Sequence, residues 1–301
     1  MADNLFESIH ARILPLGDEV ILYPAHGAGS VCGTRIANRD YTTVGIEKKL
    51  NPMLKLPKGE FVQRKLAEKP EVPPYFKQME KYNLEGPPLI VNYALPPPLT
   101  PAEFAELLES GALLIDTREP PGFGGAHIKG AYSIWLEGLP GFAGWFMPYD
   151  TPILLLLEDR IHLETATSYL TRLGYDRIEG YLGGGIESWY NSGLPVEGTN
   201  LLSVHQLKDM LDGGQDIIVL DIRDEIEWQE GHVAGAQHIY VGELERRVDE
   251  LPFDRPIATF CTVGHRAGIA ASILLRAGFP HIFNVLGSMD AWKAAKFPIS
   301  R

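Results

Sequence analysis

Cysteine is nearly absent: the 301 residues hold two, Cys32 and Cys261. Two thiols so far apart form no disulfide framework, so a reducing, cytoplasmic setting is expected. Long apolar runs are missing as well. The longest purely aliphatic one, Ile153 to Leu157, falls far short of the roughly twenty residues that span a bilayer, and no membrane partner is expected. Met1-Ala2-Asp3-Asn4 carries no basic-then-apolar leader pattern. Positive charge is scarce, with 27 Lys and Arg against 39 Asp and Glu and a net charge of -12. Such a surface repels phosphate backbones, which argues against nucleic acid as a partner. The nine histidines are scattered. Neither a metal nor another cofactor is therefore expected. What remains is ordinary globular composition, 45% hydrophobic and 22% charged, at a length that suits two or three domains.

An internal repeat organises most of the chain. Leu113-Leu114-Ile115-Asp116-Thr117-Arg118 matches Ile218-Val219-Leu220-Asp221-Ile222-Arg223. Gly125-Ala126-His127-Ile128-Lys129-Gly130-Ala131 matches Glu230-Gly231-His232-Val233-Ala234-Gly235-Ala236. A buried-strand signal follows in each, from Pro152 to Leu157 and from Pro256 to Cys261, 104 positions apart. Each then runs into a helix ending at glycine, Gly174 or Gly278, and Leu182-Gly183-Gly184-Gly185 before Trp189 matches Leu286-Gly287-Ser288 before Trp292. The two tryptophans read as core residues at the starts of late helices. Both copies open on a capping box, Thr100-Pro101-Ala102-Glu103 and Ser203-Val204-His205-Gln206. Apolar strands alternating with helices predict an α/β fold of mostly parallel sheets flanked by helices. The copies are placed at 99–198 and 199–301.

Cys261 ends its apolar run and opens Cys261-Thr262-Val263-Gly264-His265-Arg266. A loop between a buried strand and a helix can curl with its N–H groups inward, and the helix adds its positive end. Gly264 permits the backbone of so tight a loop. Arg266, and His265 when protonated, supply a cation. These features suit a thiolate nucleophile, and the loop from Thr262 to Arg266 suits a persulfide anion afterwards. The plainer alternative is a buried cysteine acting as a small apolar side chain. In the first copy Leu157 stands where Cys261 stands and His162 where Arg266 stands. Its loop has two carboxylates and no glycine, so that copy is expected to be inactive. Asp221, Arg223 and His232 support the site. Because the inactive copy keeps Asp116, Arg118 and His127, these residues are expected to hold the fold.

Those motifs together resemble tandem rhodanese domains over nearly all of 99–301. The resemblance implies that Cys261 accepts a sulfane sulfur from thiosulfate or glutathione persulfide and passes it to a thiol or cyanide. Six residues from Cys261 to Arg266 look like the sulfurtransferase loop rather than the longer one of related phosphatases. A non-catalytic docking or sulfur-carrier module is the competing reading.

Residues 1–98 lie outside the repeat. Spacing predicts a helix over 5–14, a strand at Val20 to Tyr23, and an extended connector from Pro70 to Pro98. Leu14-Pro15-Leu16, Tyr23-Pro24-Ala25-His26-Gly27-Ala28-Gly29-Ser30, Cys32-Gly33 and Asn51-Pro52 resemble the C-terminal end of a metallo-β-lactamase-fold persulfide dioxygenase. That implies a remnant of a dioxygenase–rhodanese fusion. His26 is then a leftover of the metal site, Cys32 a packing residue, and the iron-dependent oxidation missing here. A tail of a metallo-hydrolase is the third reading. A strand without sheet neighbours invites a protein partner or self-association through this segment.

Overall fold

The computed structural model describes residues 1–25, 39–68, 72–89 and 94–301. It divides into two compact units, Met1–Pro73 and Pro74–Arg301.

In the first unit a helix, Ala2–Ser8, continues as a π turn, Ile9–Ile13, and a 3-10 turn, Leu14–Leu16. The helix expected over 5–14 is thus present but changes pitch twice, with Pro15 in the last turn and its missing N–H unable to continue the ladder. Lys58 pairs with Glu7 at 2.8 Å, and Phe6 meets the fully buried Phe61 edge-on at 5.3 Å. Helix Lys58–Ala67 is held on the first helix by these contacts. Strand β1 (Ile21–Leu22) pairs antiparallel with β2 (Thr42–Thr43), so half of the expected Val20–Tyr23 strand forms a ladder. His26 and Cys32 lie outside the described residues.

The second unit holds two five-stranded sheets, and every pairing within them is parallel. In the first copy the strands are β3 (Pro98–Leu99), β4 (Leu113–Asp116), β5 (Tyr132–Ser133), β6 (Ile153–Leu156) and β7 (Ile178–Leu182), in spatial order β3-β7-β6-β4-β5. In the second copy they are β8 (Asn200–Leu202), β9 (Ile218–Asp221), β10 (Gln237–His238), β11 (Ile257–Phe260) and β12 (Ile282–Val285), in order β10-β9-β11-β12-β8. Read from the opposite edge, the second order is the same as the first, strand for strand. Central strands β6, β9 and β11 are buried along their whole length, as continuous apolar runs covered by helices on both faces must be. Both capping boxes form, Thr100 with Glu103 and Ser203 with Gln206.

The copies are not independent beads. One apolar cluster runs from Ile115, Leu155 and Tyr175 of the first copy to Leu220, Ile269 and Leu274 of the second, while each outer face keeps a core of its own. Ser133 N–H donates to Ser272 Oγ at 3.0 Å across that seam, and Tyr132 O–H donates to Glu245 at 2.6 Å. The region from Pro70 to Pro98, expected as an extended connector, contains a helix, Phe76–Glu85, and Tyr75 is buried in the shared core. Its prolines cluster outside that helix, and the aromatic side chains between them find apolar surface to cover. Trp189 and Trp292 are core residues, but each sits past the middle of its seven-residue helix rather than at its start.

Candidate active site

Strand β11 delivers Cys261 to the C-terminal edge of its sheet, and helix His265–Arg276 begins four residues later. Gly264 makes the turn between them in the left-handed region, φ 108°, where a side chain would be strained. Its N–H faces Cys261 Sγ at 3.0 Å. Cys261 itself is wholly buried. The loop is tied from behind by the start of the next helix: Gly287, Met289 and Asp290 N–H groups donate to the carbonyls of Val263, Cys261 and Thr262 at 3.0–3.2 Å. Ser288 Oγ accepts the Cys261 N–H at 3.1 Å while donating to the Val285 carbonyl at 2.7 Å. Ser288 holds this place at φ 38°, a conformation non-glycine residues seldom adopt.

Arg266 is committed to a carboxylate and a hydroxyl. Its guanidinium forms a bidentate pair with Glu227, 2.6 and 2.7 Å, and also donates to Thr262 Oγ1 at 2.6 Å. Thr262 in turn donates to Glu227 at 2.6 Å. Burial works against the charged Glu227, but the hydrogen bonds and charge of Arg266, with Thr262, hold its carboxyl down to about 2. For Arg266, burial alone would favour deprotonation, and Glu227 outweighs it and holds the guanidinium further into its charged form. Sequence reasoning missed Glu227 and named Ser288 only within the Leu286-Gly287-Ser288 motif, without this role; they lie 34 positions before and 27 after Cys261 in sequence. The capping-box pair Asp224 and Glu227 carried a local signal for helix Glu225–Glu230 but none for this role. His265 turns away, with Nε2 2.9 Å from Glu119 and its ring stacked on Trp135, both from the first copy.

Asp221 and Arg223 form a buried pair at 2.6 Å, and Arg223 donates to the Gly231 carbonyl. Asp116 and Arg118 do the same at 2.6 Å, with the Ala126 carbonyl as acceptor. His232 stacks on Trp228 and reaches its carbonyl at 3.2 Å, as His127 does with Phe123 at 3.0 Å. Both copies thus make the same contacts here, one with a cysteine and one without. In the first copy Leu157 is buried, and Asp159 caps a short turn, Arg160–His162, by accepting the Ile161 N–H. A cavity of ≈ 350 Å³ opens beside it, lined by Arg118, Leu157, Glu158, Asp159 and Glu187 among others. No cysteine is among its lining residues.

Among the described residues no three His, Cys, Asp or Glu side chains are grouped to hold a metal ion, and no helix is long and apolar enough to cross a membrane. Known proteins bear on both halves of the chain. The crystal structure of a metallo-β-lactamase from Staphylococcus aureus subsp. aureus COL matches 60% of this chain and 50% of its own, at 29% identity and a TM-score of 0.51, and is a structural neighbour of the N-terminal region. Over 91 residues, 30% of this chain, the "Putative sulfur carrier protein YrkF" of Bacillus subtilis (strain 168) is 32% identical, and the match takes in 49% of it. "Thiosulfate sulfurtransferase GlpE" of Pseudoalteromonas translucida (strain TAC 125) is 33% identical over 94 residues, 31% of this chain and 89% of that protein. The chain therefore spans about half the length of the Staphylococcus and Bacillus proteins. The rhodanese-like domain family matches residues 100–192 and again 203–295, and the chain belongs to that family through both of its copies.

Proposed function

We propose that this protein is a sulfurtransferase that moves sulfane sulfur from thiosulfate or a persulfide to a thiol or cyanide through a persulfide on Cys261. Residues 199–301 carry the reaction, 99–198 are an inactive copy, and 1–98 are a metallo-β-lactamase-like remnant with its connector. The observation that carries this reading is the Gly264 N–H aimed at Cys261 Sγ at 3.0 Å, at the start of a twelve-residue helix. A sulfur held by backbone N–H groups at a helix N-terminus is stabilised as an anion, both as thiolate and as persulfide.

The chemistry follows in two displacements. The Cys261 thiolate attacks the outer sulfur of the donor; a new S–S bond forms, the donor's own breaks, and sulfite or a thiolate leaves with the electron pair. An acceptor thiolate or cyanide then attacks the outer sulfur of the Cys261 persulfide and restores the thiolate. Thr262, Val263, Gly264, His265 and Arg266 frame the persulfide, and Asp221, Arg223 and His232 keep the strand ends in place. A reducing cytoplasm suits a thiol kept free. The test is thiocyanate formation from cyanide with thiosulfate or glutathione persulfide, Cys261→Ser run alongside. Turnover by the parent and none by the variant supports the reading; equal rates in both overturn it.

A sulfur-carrier or docking role is the second reading. It is favoured by the complete burial of Cys261 and by the printed name of the Bacillus relative. A carrier loads one sulfur per chain and releases it only to a protein acceptor, without multiple turnovers on small thiols.

A further inference from the structure

Glu119 stands at the N-cap of helix Pro120–Gly125 yet makes no side-chain cap bond. Its counterpart in the second copy, Asp224, does cap its helix, accepting the Glu227 N–H at 2.8 Å. The Glu119 carboxylate instead crosses to the second copy and meets His265 Nε2 at 2.9 Å. Trp135, also of the first copy, stacks on the same imidazole with centroids 4.8 Å apart. His265 directly follows Gly264, whose N–H faces the sulfur. Both basic residues of the loop are therefore matched with a carboxylate, Arg266 with Glu227 and His265 with Glu119. Apolar side chains also stand at this rim: Val263 is 46% exposed, and Trp135 leans on Phe142.

A sulfonate-bearing dianion arriving at this loop finds neither basic side chain uncommitted. It meets the Glu119 charge instead, in the field of a molecule with net charge -12. An organic persulfide carries its charge on the sulfur that enters the N–H cradle, and its carbon part suits Val263 and Trp135. We infer that Glu119 of the silent first copy determines donor specificity in the second, and that the site takes organic persulfides in preference to thiosulfate. The inference rests on Cys261 being the sulfur-accepting nucleophile. With a persulfide, Cys–S⁻ and R–S–S⁻ give Cys–S–S⁻ and R–S⁻. With thiosulfate, Cys–S⁻ and S–SO₃²⁻ give Cys–S–S⁻ and SO₃²⁻. Both balance without an outside oxidant or reductant.

The experiment compares kcat/KM for thiosulfate and for 2-aminoethyl persulfide, at low and high salt, in the parent, Glu119→Gln and Glu119→Lys, with Cys261→Ser as the blank. Glu119 is 57% exposed on its side chain, so both variants should fold, which their melting temperatures check. A single charge removed at a separation on the order of 10 Å from a dianion is worth about three- to fivefold at low salt. The thiosulfate-to-persulfide ratio is expected to rise by about that factor in Glu119→Gln and further in Glu119→Lys. The parent's thiosulfate constant should climb with salt, and the Glu119→Gln constant should climb less. A ratio that stays put in both variants, or a parent that prefers thiosulfate, overturns the inference while leaving Cys261 its role. A parent no faster than Cys261→Ser with either donor overturns both.

Discussion

Replacing Glu227 by glutamine removes the charge that joins three parts of the site. Glu227 holds Arg266 by two hydrogen bonds and Thr262 by one, and thereby fastens both ends of the loop to helix Glu225–Glu230. Its carboxyl is held at about 2 against a usual 4.5, a gap worth about 3 kcal/mol to the charged folded state. Neighbouring Asp224 is pushed up, first by its own burial and then by the Glu227 charge, which offsets part of that gain. The expected net loss in Glu227→Gln is about 2 kcal/mol at pH 7, or about 4–8 °C in melting temperature for a unit of this size. The pH dependence has a definite sign. A carboxyl lowered by folding contributes fully above its unfolded value and loses that contribution as pH falls through its folded value. The gap in urea midpoint between parent and variant should therefore be constant above pH 4.5 and close as pH falls towards 2. A gap that is absent at pH 7, or that persists unchanged at pH 2, would refute the assignment of Glu227 as the paired, ionised partner of Arg266.

Other expectations concern the loop backbone. Gly264→Ala places a Cβ at φ 108° and 3.4 Å from both Gly287 N and Val285 O, which should cost about 1–2 kcal/mol. Thermal melts should show that loss, and sulfur loading should fall by more than the melts alone account for, because the N–H leaves the sulfur. Ser288→Ala leaves the buried Cys261 N–H without its acceptor and should cost about 1–3 kcal/mol by urea unfolding; a loss below a few tenths would show that another group takes the bond.

Much of the scaffold was legible because it is local. The capping boxes at Thr100 and Ser203, the glycine turn at Gly264 and the apolar runs of β6, β9 and β11 each follow from residues close in sequence. The repeat doubled every such signal, and two copies keeping Asp-x-Arg and histidine pointed to a shared structural use; the two copies make matching contacts at these residues. What escaped is carried by distance. Glu227 lies 39 positions from Arg266, and Glu119 lies 146 from His265, and no periodicity links them. Phe76–Glu85 was hidden by prolines on either side, since composition there describes the flanks better than the helix between them.

Sulfur on Cys261 is the central claim, and intact-protein mass spectrometry tests it most directly. After incubation with a persulfide donor and removal of the excess, the parent should gain the mass of one sulfur atom. Peptide mapping should place it on Cys261, and cyanide should remove it. A chain that gains no sulfur, or that gains as much in Cys261→Ser, would contradict the account.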